Sequence, residues 1–148
     1  MRAQDVMTKD PACLTPNATV REAAQLMQRE DVGIIPVVQE QQGSRQLLGV
    51  ITDRDIAIRV VGDGKDGSTR VSDVMSRDRI STCQPSDDVG EVMNAMAKEQ
   101  VRRIPIVDER GGLVGIVAQA DIVRRTKDDA RSERTVEEIS EPRQRHSQ

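Results

Sequence analysis

The 148-residue sequence contains no phenylalanine, tyrosine or tryptophan. Proteins that grip single-stranded nucleic acid usually stack bases on such rings, so that class of binding loses its platform. Histidine occurs once, as His146 in a polar tail, and cysteine twice, as Cys13 and Cys83. There is no C-x-x-C spacing, and no metal site is expected. The cysteines read as small, mostly buried thiols in a reducing compartment, with a disulfide or a shared metal left as alternatives. No nucleophile stands near a base in sequence, and no Gly-Lys-Ser/Thr phosphate loop exists, so a non-enzymatic protein is expected. Charged residues make up 32% of the chain yet leave a net charge of only −3. That balance gives no electrostatic reason for binding nucleic acid or a membrane surface. No apolar run approaches the roughly 20 residues that span a bilayer, and no signal pattern opens the chain. A cytoplasmic protein with a core of Val, Ile, Leu, Met and Ala is expected.

What the sequence does contain is a duplication. Val6-Met7-Thr8 returns as Val74-Met75-Ser76, and Ile35-Pro36-Val37-Val38 as Ile104-Pro105-Ile106-Val107. Gly49-Val50-Ile51-Thr52-Asp53-Arg54-Asp55 returns as Gly115-Ile116-Val117-Ala118-Gln119-Ala120-Asp121. The first repeat is placed at residues 1–61, an exposed glycine-rich linker at 62–73 and the second repeat at 74–126. Residues 127–148 are polar, with Val136 and Ile139 as their only large apolar residues, and read as a disordered tail or a frayed helix. Each repeat alone would bury little core, so the two should pack as one unit.

The periodicity changes in the same order in each repeat. Val20, Ala23, Ala24 and Met27 form a helical stripe opened by a Thr19–Glu22 capping box, and Val89, Val92, Met93 and Met96 repeat it. Short strands follow at Ile34–Val38 and Leu47–Ile51, with an exposed turn over Gln39–Gln46, and at Ile104–Val107 and Leu113–Val117. A second helix starts near Asp53 and near Gln119. A further short strand is expected before the first helix, at Cys13–Thr15 and Ile80–Thr82. The class is α+β, helices over one face of each small sheet.

The chemistry-bearing candidates lie where the copies differ. Thr52 and Asp55 sit where a strand gives way to a helix. A carboxylate there suits a vicinal diol such as ribose, and the helix N-terminus favours an anion. The same pair is also what a capping box needs with no ligand present. In the second copy Ala118 can neither cap nor bind, and only Asp121 remains. Arg102 and Arg103 precede the second Pro-containing strand, where the first repeat has Gly33 and Ile34. Arginine supplies a fork of donors suited to phosphate, although solvated charges are the plainer reading. Alternation along a strand makes Arg103 the first choice.

Taken together, these duplicated motifs resemble a tandem pair of CBS domains, a Bateman module, over Val6 to Arg125. The resemblance implies two β-α-β-β-α units packed through their sheets about a pseudo-two-fold axis. It implies a stand-alone regulatory module that binds an adenosine-containing ligand such as AMP, ADP or ATP between the repeats, requires no cofactor, forms a homodimer and acts on another protein. By the family's pattern, one cleft joins Thr52, Asp55 and Val50 to Arg102 and Arg103. The weaker mirror cleft keeps Asp121 and Ile116 and faces Gly33 and Ile34. The alternative is a constitutive interaction module with empty clefts.

Overall fold

The computed structural model describes residues 1–78 and 80–140. Its elements are α1 (Ala3–Val6), β1 (Thr8–Lys9), α2 (Val20–Glu30), β2 (Ile34–Gln41), β3 (Ser44–Thr52), α3 (Asp53–Asp55, continuing as a π-helical turn Ile56–Val61), α4 (Val71–Val74), α5 (Val89–Glu99), β4 (Arg103–Val107), β5 (Leu113–Ala118) and α6 (Gln119–Ser140). The two β-α-β-β-α units are present. The initial strand expected at Cys13–Thr15 is one parallel bridge, Leu14 to Val37, whereas residues 80–82 form no strand and the corresponding bridge lies one residue later, Cys83 to Ile106.

Both hairpins are antiparallel, Ile34 facing Thr52 and Arg103 facing Ala118. The first hairpin is longer than the sequence suggests. Its strands run through the polar Gln39–Gln46 stretch and turn on Gln42 and Gly43 alone, both at positive φ (53° and 77°). Two consecutive left-handed residues make the tight turn whose twist matches a hairpin. The hairpins meet where the Leu47 amide donates to the Gly111 carbonyl at 3.1 Å.

There are two cores rather than one. Val20, Ala23, Leu26 and Met27 of α2 pack on Ile35, Val37 and Ile51, while Val92 and Met96 of α5 pack on Ile104, Ile106 and Val117. In α2, Leu26 takes the buried position assigned above to Ala24, which is exposed. Thr19 caps α2 by accepting from the Glu22 amide at 3.2 Å.

The segments that open the repeats are exchanged. Ala3, Val6 and Met7 pack in the second core, and Val71, Val74 and Met75 in the first. Likewise β1 adds an edge to β5 of the second repeat, and Ser76 pairs with Val50 of the first through main-chain bonds of 2.8 and 3.0 Å. The exchange explains a glycine in each motif. A Cβ on Gly49 would lie 2.5 Å from the Ser76 carbonyl oxygen, and one on Gly115 would lie 2.9 Å from that of Thr8. The linker also supports the first helix of the core. Its Thr69 and Gly67 carbonyls accept from the Val20 and Arg21 amides (2.8 and 3.1 Å), which the first turn of α2 leaves unpaired.

Of the stretch expected to be a disordered tail or a frayed helix, the part up to Ser140 continues α6. An Arg125–Asp129 pair at 3.4 Å, one turn apart, illustrates how alternating charges sustain such a helix. The rest of the tail, with His146, lies outside the described residues. Among the described residues no helix is long and apolar enough to cross a membrane.

Candidate functional site

Thr52 and Asp55 form a complete capping box. The Asp55 amide donates to Thr52 Oγ1 and the Thr52 amide donates to Asp55 Oδ2, both at 3.0 Å. Asp55 is 8% exposed, the one buried charged residue in the described chain. Its carboxylate also accepts from Ser76 Oγ at 3.2 Å and pairs with Arg59 Nε at 3.9 Å. The Arg59 guanidinium in turn donates to the carbonyls of Val74 and Met75 (3.1 and 3.3 Å), at the C-terminal end of α4. Val50 and Asp55 therefore both bond Ser76, with Thr52 held to Asp55, and the exchanged segment is tied to the start of α3. Ser76 was missed from sequence, although its match to Thr8 in the duplicated opening was a usable signal.

The second repeat is arranged differently. Ala118 gives Asp121 no cap to complete, and Asp121 pairs with Arg124 one turn along α6. Thr8, the counterpart of Ser76, is exposed and makes no side-chain hydrogen bond among the described residues. Beside Asp121 lies a cleft of about 370 Å³. Ile34 and Pro36 of the first repeat form one wall, and Arg103, Ile116, Asp121 and Arg124 of the second form another. The structure thus gathers Arg103, Ile116 and Asp121, with Thr8 at the same cleft. Arg102 is exposed and lies beside α6. No hydrogen bond or ion pair among the described residues joins Thr52 or Asp55 to Arg102 or Arg103.

The cysteines are free and belong to different repeats. Burial pushes the Cys83 thiol above its ordinary value, helped by the negative charges of Asp87 and Glu91. A raised value means less thiolate at neutral pH, the reverse of what a nucleophile needs. The folded state holds that proton more tightly than the unfolded chain. This contribution to stability is present below the ordinary thiol value of 9.0 and fades as pH rises past it. In a maleimide time course at pH 7.5, partly exposed Cys13 is expected to react well before Cys83; equal rates in the folded protein would contradict the burial of Cys83. Among the described residues, no three His, Cys, Asp or Glu side chains gather as metal ligands.

The comparisons agree with this architecture. A family model described as CBS domain matches residues 3–62 and again 71–128. CBS domain-containing protein YhcV of Bacillus subtilis is 47% identical over 119 residues, 80% of this chain and 81% of that protein. The crystal structure of Hypoxic Response Protein I with two coordinated zinc ions matches with a TM-score of 0.74 at 33% identity, over 84% of this chain and 98% of that one; hypoxic response protein 1 is a protein of Mycobacterium tuberculosis. The CBS domain pair of protein MJ0100, in complex with 5′-methylthioadenosine and S-adenosyl-L-methionine, matches with a TM-score of 0.73 at 26% identity, over 87% of this chain and 98% of that one. With the repeat matched twice, two sheets built alike and their opening segments exchanged, the chain belongs to the CBS domain family and is a tandem pair of its domains.

Proposed function

We propose that the protein is a non-enzymatic sensor that binds an adenosine-containing ligand between its repeats and acts on a partner protein. The observation that carries this reading is the cleft beside Asp121. It joins apolar side chains of both repeats, suited to a purine, to two carboxylates, of which Asp121 is the one suited to a ribose diol and Glu30 the other, and two guanidinium groups suited to an anion. The MJ0100 pair, which holds adenosine-containing ligands, supports the class of ligand.

We propose Asp121, Ile116 and Arg103 as the first position, ahead of Thr52 and Asp55. Asp55 already has its cap, a serine hydroxyl and an arginine, so a ribose there must displace the Ser76 hydroxyl. Asp121 has only an exposed arginine to release. Thr52, Asp55 and Val50 remain the proposed second position. A homodimer is the proposed assembly, in a cytoplasmic setting, and neither nucleic acid nor a membrane is a proposed partner.

Thermal denaturation with S-adenosylmethionine, methylthioadenosine, AMP, ADP, ATP and NADH tests the reading. A ligand at a hundred times its Kd stabilises by about 2.7 kcal/mol. For a chain of this size that raises Tm by about 5–10 °C. The rise is expected to vanish in Asp121→Asn and to persist in Asp55→Asn. The reverse pattern returns the site to Thr52 and Asp55. A flat response to every compound leaves the constitutive interaction module, which the ligand-free satisfaction of Asp55 favours.

A further inference from the structure

The cleft beside Asp121 carries four ionisable side chains, Glu30 from the first repeat and Arg103, Asp121 and Arg124 from the second. Asp121 and Arg124 pair with each other. Among the described residues Glu30 and Arg103 enter no ion pair and no side-chain hydrogen bond. What is left for a ligand is therefore one carboxylate and one guanidinium, supplied by different repeats. The rest of the lining is mostly apolar, including Val32, Ile34, Pro36 and Ile116. Apolar surroundings strengthen the pull of each ion on the right charge and its rejection of the wrong one.

Both groups are set by regular elements. Glu30 is the last residue of α2, which stops there because Asp31 takes a left-handed backbone (φ 54°) and turns the chain towards β2. Arg103 is the first residue of β4 and is half-buried. Adenosine ligands differ in what their 5′ end brings to this pair. A phosphate gains Arg103 but meets Glu30 as a like charge. A neutral thioether leaves both ions unanswered. An α-amino acid end carries an ammonium and a carboxylate on one carbon and answers both. Its carboxylate matches the guanidinium fork, and its ammonium is a pure donor facing a pure acceptor.

We infer that this cleft selects a zwitterionic α-amino acid end, with Glu30 taking the ammonium and Arg103 the carboxylate. Glu30 is then the specificity residue, attractive to this end and repulsive to a phosphate. Two sources carry this chemistry: an amino acid joined through sulfur to an adenosine whose ribose lies at Asp121, or a free α-amino acid. The first source rests on the adenosine reading above; the charge pair itself does not. A zwitterion bridges the two repeats through its charges, whereas a phosphate finds its charged partner in the second repeat alone.

Isothermal titration of the full chain with S-adenosylhomocysteine, methylthioadenosine, AMP and methionine tests the pair. The first two share an adenosine thioether and differ by the amino acid end. S-Adenosylhomocysteine is expected to bind at least about tenfold more tightly than methylthioadenosine. Glu30→Gln, a change at an exposed helix end, should erase that margin and at the same time tighten AMP, because a like charge is gone. A merely structural role for Glu30 would not move the two ligands in opposite directions. Methionine binding that Glu30→Gln abolishes, with no binding of the adenosine compounds, keeps the charge pair, assigns it to a free amino acid and overturns the adenosine reading. S-Adenosylhomocysteine no tighter than methylthioadenosine or AMP, or a margin that survives Glu30→Gln, overturns the selection and leaves the adenosine reading standing. Silence from all four probes overturns both.

Discussion

Deleting residues 1–9 is expected to unravel the second repeat while sparing the first, although those residues precede the first in sequence. The segment puts fully buried Ala3 and half-buried Val6 and Met7 into the second core. It gives β5 its edge partner and ties the Ala3 amide to the Asp87 carbonyl at 2.8 Å. Losing this apolar burial costs about 4 kcal/mol, a large share of the stability of an ordinary domain. In native-state hydrogen exchange, amides of β4, β5 and α5 should lose protection by about a thousandfold. Those of β2, β3 and α2 should change by less than about tenfold. Greater loss in the first repeat, or equal loss in both, would show that the exchange does not partition the stability in this way.

Asp55→Ala carries the second large effect. The substitution strips a capping carboxylate from the Thr52 amide, leaves Ser76 Oγ without its acceptor and unpairs Arg59. Loss of a cap and of hydrogen bonds to a buried charge sums to about 3 kcal/mol, or about 6–12 °C in Tm. Asp121→Ala removes the homologous residue, yet its partner Arg124 is exposed. A pair of that kind is worth at most about 1 kcal/mol. Urea titrations of the two variants therefore give opposite readings of one duplicated motif: a stability residue in the first repeat, a binding candidate in the second. Similar midpoints for both would remove the ground for placing the ligand beside Asp121.

Much of this was legible in the sequence because the information was local. The Pro-containing strands, the helix starts at Asp53 and Gln119 and the Thr52–Asp55 box follow from alternation, turn chemistry and cap spacing. The exchange of segments was not legible. Val-Met-Thr and Val-Met-Ser state that two apolar residues need covering and leave open which sheet covers them. The extended first hairpin was hidden because its outer end is polar on both faces, which erases the alternation that marks a strand. The long α6 was hidden for a related reason: its hydration-tolerant charges satisfy a helix without any apolar stripe. For the site, spacing singled out the two carboxylates as candidates. It could not reveal that a serine from across the exchange already occupies one of them.

The exchange also bears on assembly. Each repeat is completed by a segment that the backbone delivers from the far side of the other, and residues 62–70 are all that carry the chain across for α4. The contacts themselves would be identical if a second molecule supplied the segment. What keeps the trade within one molecule is proximity: a tether this short holds α4 at an effective concentration in the millimolar range, far above that of a competing chain. Shortening it below the span it must cross would leave the α4 contacts to be made only by another molecule's segment, turning an exchange within one chain into a swapped dimer.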